Sequence, residues 1–256
     1  MRILLSNDDG ILAPGLAALY GAVADMGEVT VAAPDSPQSA AGHAITIRNP
    51  LTVHRVEVDG PPPFRGFSVA GRPADCVRLA VRSLMDAPAE LVVTGLNAGS
   101  NVGINVFYSG TVAAAAEAAM LGLPAVAFSA ETSEGETDFA AAAGMCGNVL
   151  RRLLDVGLGP GELINVNIPL LAHRRPAGVR VVAQSTAGIE DTYHRDVAHD
   201  GSESYRLTDE YSFTAEQENT DVVALAEGYI TVTPLHVDMT DHKRLDDLAR
   251  IDWDNP

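Results

Sequence analysis

Arg2-Ile3-Leu4-Leu5-Ser6-Asn7-Asp8-Asp9-Gly10 is the stretch that decides the fold. A short apolar run that ends abruptly in polar residues is typical of a buried strand in a parallel sheet. An apolar helical stretch follows at residues 15–24, with Pro14 in its first turn. Residues 28–33 form a second apolar run, closed by Pro34. The order strand, helix, strand predicts a right-handed βαβ unit.

The same alternation continues along most of the chain. We predict alternating strands within 44–58, a strand at 67–69, a helix at 73–85, a strand at 90–94, a Gly/Asn-rich loop at 95–109, an Ala-rich helix at 110–121, a strand at 124–129, a helix at 139–154 and a strand at 163–168. This order predicts an α/β fold, with a Rossmann-like, doubly wound and mostly parallel sheet.

The C-terminal third has a different composition. Residues 186–219 are acidic, weakly periodic and contain Tyr193, Tyr205 and Tyr211. We interpret them as an extended hairpin or arm that makes oligomer contacts, with disorder as the alternative. The predicted organisation is a Rossmann-like core at 1–185, the arm at 186–219, and a C-terminal strand and helix at 220–256 that complete the fold.

Composition excludes several classes of function. Seventeen basic and 34 acidic residues give a net charge of −17, which disfavours binding to DNA, RNA or an anionic membrane surface. Lys243 is the sole lysine and no G-x-x-x-x-G-K-[ST] motif occurs, so a P-loop NTPase is excluded. An anionic substrate would need a local attraction, such as a bound cation.

Targeting and redox features point to the cytoplasm. The apolar run begins at residue 2 without a charged leader, and no apolar stretch reaches the roughly 18 residues of a membrane span. Cys76 and Cys146 have no metal-type spacing and form no disulfide framework, so we expect buried thiols. We therefore expect a cytoplasmic protein.

Asp8 and Asp9 directly follow the first strand, at the edge where open α/β sheets bind ligands. Adjacent carboxylates repel each other, and a divalent cation beside them would stabilise both in the ionised form. A solvated turn is the competing interpretation, because Asn-Asp-Asp-Gly is also good turn composition.

Two further loops follow strands. Residues 33–43 contain Ser39, a candidate ligand for metal or phosphate, and His43, a candidate donor to a leaving oxygen. Residues 95–103 offer Asn97 as a neutral oxygen ligand and Asn101 as a polar contact, although the glycine spacing is not that of a dinucleotide site. Ordinary polar or Gly-rich surface loops are the alternative for both.

Ser109, Gly110 and Thr111 open the Ala-rich helix. The unpaired amides of a helix N-terminus bind phosphate, and the two hydroxyls add donors. An ordinary Ser or Thr N-cap is the competing interpretation. If these loops meet at one sheet edge, they bring carboxylates, a hydroxyl, an amide oxygen and a helix N-terminus together, which predicts a metal-phosphate site.

The chain resembles the SurE family of 5′/3′-nucleotidases over nearly its whole length. The resemblance is carried by Ile3-Leu4-Leu5-Ser6-Asn7-Asp8-Asp9-Gly10, Ala33-Pro34-Asp35, Gln38-Ser39, Gly71, Pro73-Ala74-Asp75-Cys76-Val77, Gly95, Asn97, Gly99, Asn101, Gly103, Tyr108-Ser109-Gly110-Thr111-Val112, Asn165-Val166-Asn167-Ile168-Pro169, Glu227-Gly228-Tyr229-Ile230 and Thr233-Pro234-Leu235-His236-Val237-Asp238. Ser36, Arg72 and Ala98 depart from the residues common in that family.

The resemblance implies one Mg²⁺ or Mn²⁺ ion per subunit, coordinated by Asp8, Asp9, Ser39 and Asn97. It implies that Ser109, Gly110 and Thr111 hold the phosphate. It also implies a phosphomonoesterase for nucleoside 5′- and 3′-monophosphates, with some activity on short polyphosphate. Family members form homodimers or homotetramers through a swapped C-terminal arm, so the same is expected here.

Two mechanisms remain open at this stage. A metal-bound water could attack phosphorus, with Asp9 accepting its proton, or Asp8 could be the nucleophile; His43 could assist the leaving group. A receiver-like signalling module is disfavoured because Asn97 stands where a phosphoacceptor Asp is needed and the lysine is misplaced. A non-catalytic nucleotide-binding oligomer is the other alternative.

Overall fold

The first predicted strand lies in the interior of the sheet in the computed structural model. The structure describes residues 1–133, 137–171, 175–208 and 212–253. Tyr211 of the predicted arm and residues 254–256 of the predicted C-terminal segment lie outside the described residues. Ile3, Leu4 and Leu5 are fully buried because strands flank them on both sides.

The described residues form thirteen strands. They are β1 (Arg2–Ser6), β2 (Glu28–Pro34), β3 (Val53–Val58), β4 (Phe64–Val69), β5 (Leu91–Ala98), β6 (Ala125–Ala130), β7 (Leu163–Ile168), β8 (Val179–Val181), β9 (Ile189–Glu190), β10 (Tyr193–Val197), β11 (Glu203–Leu207), β12 (Ser212–Phe213) and β13 (Ile230–Leu235).

The same residues form six α-helices and two shorter helical turns. The α-helices are α1 (Pro14–Val23), α2 (Pro73–Leu79), α3 (Gly110–Met120), α4 (Phe139–Val156), α5 (Asp221–Ala226) and α6 (His242–Ala249). A π-helical turn at Ala80–Leu84 extends α2, and a 3₁₀ helix at Gly103–Phe107 precedes α3.

Nine strands form one sheet in the order β3-β4-β2-β1-β5-β6-β7-β13-β8. All pairs are parallel except β3 with β4 and β13 with β7, so the predicted α/β fold with a mostly parallel sheet is confirmed. The chain passes from β1 to β2 on one side and later returns to β5 on the other. This reversal makes the crevice beyond β1 and β5 the point where such sheets bind ligands.

Helices cover both faces of the sheet. On one face α1 and α4 pack over a core that includes Leu5, Leu16 and Leu150. On the other face α2 and α3 pack over Leu4, Val92 and the alanines of α3. Burying a leucine or isoleucine side chain contributes about 1.5–3 kcal/mol, so these two layers hold the strand ends in fixed positions.

Two details of the predicted secondary structure are wrong. Ile45 and Ile47 form no strand, and their side chains are 40% and 82% exposed. The loop that carries them is instead held by Asp75, whose carboxylate accepts hydrogen bonds from the amide of Thr46 at 2.9 Å and from its hydroxyl at 2.7 Å. The strand predicted to end at Thr94 continues to Ala98, with a register shift between Thr94 and Asn97.

The chain after β7 adds to the main sheet and then leaves it. Strands β8 and β13 join the sheet, whereas β10 pairs with β11 and β9 with β12 as two separate antiparallel ribbons. The residues of β10 and β11 are exposed on both faces. No helix in the described part of the chain is long and apolar enough to span a membrane.

Candidate active site

Asp8 and Asp9 lie at the carboxyl end of β1 and are held by two different segments. The Asp8 side chain is buried, and its Oδ1 accepts a short hydrogen bond from the hydroxyl of Thr111. The Oδ2 atom of Asp9 accepts from the amide of Ala98 at 3.3 Å. The acid pair therefore joins the end of β1 to the start of α3 and the end of β5.

Gly110 allows α3 to approach Asp8 closely. A Cβ atom at position 110 would lie 2.7 Å from Asp8 Cβ and 2.8 Å from its Oδ2, well inside van der Waals contact. Only glycine fits there without moving the helix. The sequence therefore places the N-terminus of an eleven-residue helix directly against a carboxylate.

The residues at the start of α3 make different contacts. Ser109 is the N-cap residue, and its Oγ accepts from the amide of Val112 at 3.1 Å. Thr111 uses its hydroxyl on Asp8, and its carbonyl accepts from Thr94 Oγ1 at 2.8 Å. The amides of Gly110 and Thr111 lie in the first turn of the helix. Amides in this position have no acceptor within the helix itself and can bind anions.

The loop after β2 crosses the acid pair. The amide of Gln38 donates to the carbonyl of Asp8 at 2.8 Å, and the amide of Gly42 donates to the carbonyl of Tyr108 at 3.0 Å. Ser39, which is exposed, directly follows Gln38. The loop is thus fixed at one end to β1 and at the other to the approach of α3, with Ser39 between the two attachments.

Asn97 lies at the end of β5, one residue before Ala98, whose amide donates to Asp9. It pairs with Ser129 of β6, and its Nδ2 donates to the carbonyl of Gly99 at 2.8 Å. This hydrogen bond fixes the amide group, so Oδ1 is the end of the side chain that remains to act as an oxygen donor. Ala98, a departure from the family pattern, holds Asp9 through its backbone amide, which every residue type except proline can supply.

Burial and mutual repulsion disfavour a double negative charge at the acid pair. Burial raises the pKa of Asp8 to about 6, and repulsion from Asp9 adds to this rise, although the hydrogen bond from Thr111 opposes it. Burial also raises the pKa of Asp9. A divalent cation would reverse this penalty by favouring the ionised carboxylates.

The available donors suit a hard cation. Two carboxylates, the hydroxyl of Ser39 and the amide oxygen of Asn97 are all oxygen ligands, the type that Mg²⁺ and Mn²⁺ prefer. Among the described residues, no group of three or more His, Cys, Asp or Glu side chains is arranged to hold a metal. The predicted set depends on two acids and on neutral oxygens for the remainder.

Asn101 serves as an anchor of the loop before α3. Its amide donates to Asn167 Oδ1 and its Nδ2 donates to Ser129 Oγ, both at 2.7 Å. Its carbonyl accepts from the side-chain amides of Asn165 at 2.7 Å and Asn167 at 3.2 Å. The phosphate contact predicted for Asn101 therefore competes with structural hydrogen bonds made by its backbone amide, its carbonyl and its Nδ2.

His43 faces α3 rather than the acid pair. Its Nε2 lies 2.9 Å from Glu117 Oε2, and Arg78 donates to the other oxygen of Glu117 at 2.7 Å. Glu117 lies on α3 two helical turns beyond Gly110, which is about 10 Å along the helix axis. Through this contact His43 connects the loop that carries Ser39 to the buried side chain of Glu117.

The other two departures from the family pattern meet the same loop. Arg72 donates from its guanidinium to Gln38 Oε1, and Ser36 donates from its hydroxyl to Asp35 Oδ1 at 2.9 Å. The first contact holds Gln38, which follows Pro37, and the second joins the two residues that precede Pro37. Neither replaces a predicted metal ligand.

Several residues with structural roles at the site were not singled out from the sequence. Asn7 is fully buried, donates to the carbonyl of Gly10 at 3.0 Å and keeps its Oδ1 unpaired within the described part of the chain. Glu117 was detectable as the one charged residue of an Ala-rich helix. Asn165 and Asn167 were detectable as amides in an otherwise apolar, buried strand.

Comparison with known proteins gives consistent matches. Residues 3–191 match the family described as "Survival protein SurE". The 5′-nucleotidase SurE of Syntrophobacter fumaroxidans is 44% identical over 250 residues, covering 98% of this chain and 99% of the relative. The 5′-nucleotidase SurE 1 of Thermus thermophilus is 43% identical over 249 residues, covering 97% of each chain.

A solved structure shares the fold. The crystal structure of the SurE protein from Aquifex aeolicus superimposes with a TM-score of 0.83 at 35% sequence identity. The match covers 97% of this chain and 98% of that chain. The similarity therefore includes the segment after β7 as well as the parallel sheet.

Proposed function

The chain belongs to the SurE family, and from this membership we propose that it is a 5′-nucleotidase, a phosphatase that hydrolyses nucleoside 5′-monophosphates to nucleoside and phosphate. Curated relatives at about 40% identity carry the name 5′-nucleotidase. The observation that carries the proposal is the close approach of α3 to Asp8, because it joins an anion-binding helix N-terminus to an acid pair.

The phosphate binds at the start of α3. The amides of Gly110 and Thr111 donate to phosphate oxygens, and the hydroxyl of Ser109 adds a donor. Since the protein carries a net charge of −17, the helix N-terminus supplies local positive potential that the protein as a whole lacks. Thr111 contributes its amide to phosphate while its hydroxyl orients Asp8.

Asp8, Asp9, Ser39 and Asn97 would hold one divalent ion, with Mg²⁺ or Mn²⁺ as the best fit to oxygen ligands. Such an ion, when bound, neutralises charge on the phosphoryl group and acidifies water. The structural support for these ligands is the convergence of the acid pair, the loop after β2 and the end of β5.

Asp9 is the proton acceptor in the mechanism that the geometry favours. A water oxygen forms the new bond to phosphorus, its proton passes to Asp9, and the bond between phosphorus and the ribose oxygen breaks. The leaving oxygen takes a proton from solvent. Asp8 is the weaker nucleophile candidate because its Oδ1 accepts the hydroxyl of Thr111 and its Oδ2, which lies beside Gly110, would be taken up as a ligand of the ion.

Asp9→Asn tests the proposal against a non-catalytic nucleotide-binding oligomer. The wild-type protein should release phosphate from a nucleoside 5′-monophosphate, and Asp9→Asn should lose at least about 100-fold in kcat, as expected for a general base. Asp25→Asn, on an exposed carboxylate paired with Arg151, is the matched control and should retain wild-type turnover. A wild-type protein that binds the nucleotide without turnover would support the oligomer alternative.

Further substrates and a mode of assembly are proposed from the family resemblance. They are activity on nucleoside 3′-monophosphates and on short polyphosphate, and assembly into a homodimer or homotetramer through the exposed strands β10 and β11. The acidic surface and the two buried free thiols are consistent with the cytoplasm as its location. Mass measurement in solution and a substrate panel test these parts separately.

A further inference from the structure

A buried carboxylate on α3 takes no part in the proposed reaction. The side chain of Glu117 is 2% exposed, on a helix made mostly of alanine. Its Oε1 accepts a hydrogen bond from Arg78 Nε at 2.7 Å, and His43 Nε2 lies 2.9 Å from its Oε2. A buried charge is costly unless partners compensate for it, so these contacts stabilise Glu117 in its position. Arg78 comes from α2, whereas His43 comes from the loop after β2 that also carries Ser39.

Residues 35–43, here called the Ser39 loop, are attached to the rest of the site on both sides of Ser39. Before Ser39, a backbone hydrogen bond from Gln38 reaches the end of β1. After Ser39, a backbone hydrogen bond from Gly42 reaches the segment just before α3, and the side chain of His43 reaches α3 itself. The position of Ser39 is therefore set by a span of chain that is held at both ends.

The backbone between these attachments is strained at Ala40. Its φ is +54°, in the left-handed region that residues with a Cβ atom rarely adopt. Such a conformation persists only where the surrounding contacts hold it. If an attachment is lost, the residues next to Ser39 should therefore move to a more favourable conformation.

Among these three attachments, the one from His43 depends on a particular side chain. The other two come from backbone amides, which every residue type except proline can supply. The His43 contact needs a ring nitrogen at the end of the loop and a carboxylate on α3. The same helix meets Asp8 at Gly110. Because α3 is a continuous helix of eleven residues, it holds Glu117 in a fixed relation to the acid pair.

We propose that His43 and Glu117 are positioning residues that hold Ser39 at the proposed metal site. The inference rests on the proposed function and concerns how its metal site is assembled. Both residues act through the Ser39 loop, without contacting the ion or the substrate. Residues that orient metal ligands commonly contribute roughly ten- to 100-fold to metal affinity, so loss of the His43 contact should raise the Kd for Mn²⁺ about tenfold.

The experiment measures Mn²⁺ binding by calorimetry for the whole chain and its variants. His43→Ala removes the contact with Glu117, whereas His43→Gln keeps a nitrogen donor and should retain most of the affinity. Arg78→Gln is the matched control, because Arg78 contacts the other oxygen of Glu117 but lies on α2 rather than on the Ser39 loop. Each variant leaves Glu117 with one of these two partners, so the fold should persist.

A double-variant cycle tests whether His43 acts through Ser39. Ser39→Ala should itself raise the Kd for Mn²⁺, and adding His43→Ala to it should raise the Kd no further. A second measurement needs neither metal nor turnover. In metal-free protein, the amides of residues 36–42 should exchange hydrogen faster in His43→Ala than in wild type, and at the wild-type rate in Arg78→Gln.

Proton donation to the leaving oxygen is the competing role for His43. In that role, His43→Ala would slow hydrolysis of adenosine 5′-monophosphate far more than hydrolysis of p-nitrophenyl phosphate, whose leaving group needs no proton. For a positioning residue, we expect the ratio of the two rates at saturating Mn²⁺ to match that of wild type.

Four results would overturn the inference. They are an unchanged Kd in His43→Ala, an equal rise in Arg78→Gln, a further rise when His43→Ala is added to Ser39→Ala, and a wild-type protein that binds no Mn²⁺. Failure of the wild-type protein to release phosphate while it binds Mn²⁺ would instead overturn the proposed function, and the comparison of Kd values would still decide the role of His43.

Discussion

Thr111 donates its hydroxyl hydrogen to Oδ1 of Asp8, joining the first turn of α3 to the end of β1 across 103 positions of the sequence. Both side chains are buried, Thr111 completely. A buried carboxylate without a donor would be costly, so this bond fixes which Asp8 oxygen faces the crevice. The relationship makes the orientation of the acid pair depend on the helix that is proposed to bind phosphate.

Thr111→Val removes this bond while keeping the volume of the side chain. We expect the free energy of unfolding to fall by about 1–3 kcal/mol, because Asp8 loses a donor in a buried position. We also expect kcat to fall at least about tenfold, because Asp8 is no longer held in one orientation. Urea unfolding and phosphate release measure the two effects.

Thr231→Val is the control for this change. Thr231 is also fully buried, but its Oγ1 has no hydrogen-bond partner within the described residues. Its replacement should leave stability unchanged or increase it, with normal turnover. Equal losses in both variants would show that the hydroxyl of Thr111 has no special role.

Gly110→Ala tests the close approach of α3 to Asp8. The added methyl group would lie 2.7 Å from Asp8 Cβ, so the helix must shift and the phosphate-binding amides move with it. We expect turnover to fall by about 100-fold, as a misplacement near 1 Å can cause. Gly144→Ala on α4 meets open space and should increase stability by about 0.5–1 kcal/mol, without loss of turnover. Wild-type turnover in Gly110→Ala would refute the steric argument.

Asp221 connects the segment after the arm to the loop before α3. Its carboxylate is fully buried and accepts from the amides of Gly103, Ser185 and Val222 at 2.8–2.9 Å. Asp221→Ala should destabilise the fold by about 3 kcal/mol, because these amides lose their acceptor. Unfolding in urea measures the loss, and Asp200→Ala in the exposed β10–β11 turn should show none.

The charge on Glu117 should make the stability of the protein depend on pH. The hydrogen bond from His43, together with Arg78, holds the pKa of Glu117 below its ordinary value of 4.5. A lowered pKa in the folded state stabilises the protein above pH 4.5, and this contribution is lost as pH falls through the folded pKa. Glu117→Gln should therefore be less stable than wild type at about pH 7, and the difference should shrink below about pH 4.5.

Unfolding curves across this pH range provide the check. A difference that stays constant or grows on acidification would contradict the assignment of charge to Glu117. Glu57→Gln is a suitable comparison, because Glu57 pairs with Arg65 on the exposed edge of the sheet and should show little pH-dependent change.

Local signals were sufficient for the strands and helices that frame the site. The run that ends at Ser6 and the Ala-rich segment after Ser109 each carry their own pattern, and both form where predicted. The extension of β5 to Ala98 could not be read in this way. Gly95 looks like a strand end, but it has a φ of +120° inside a strand whose pairing with β6 depends on residues about 30 positions away.

The sequence predicts which residues belong to the candidate site, but it does not predict the contacts that all of them make. Asp8 and Asp9 follow from their place after β1, which any parallel sheet would bring to the ligand edge. The roles of His43 and Asn101 depend on Glu117, Asn165 and Asn167, which are distant in sequence. Pairings of this kind are set by the packing of α3 and β7, which periodicity does not report.

The most direct measurement is phosphate release from adenosine 5′-monophosphate by the purified wild-type protein, before and after removal of divalent ions with EDTA. We predict release in Mg²⁺ or Mn²⁺, loss of release with EDTA, and recovery when the ion is restored in excess. Release that continues undiminished in EDTA, or no release with either ion, would contradict the claim that Asp8 and Asp9 form a metal-dependent phosphatase site.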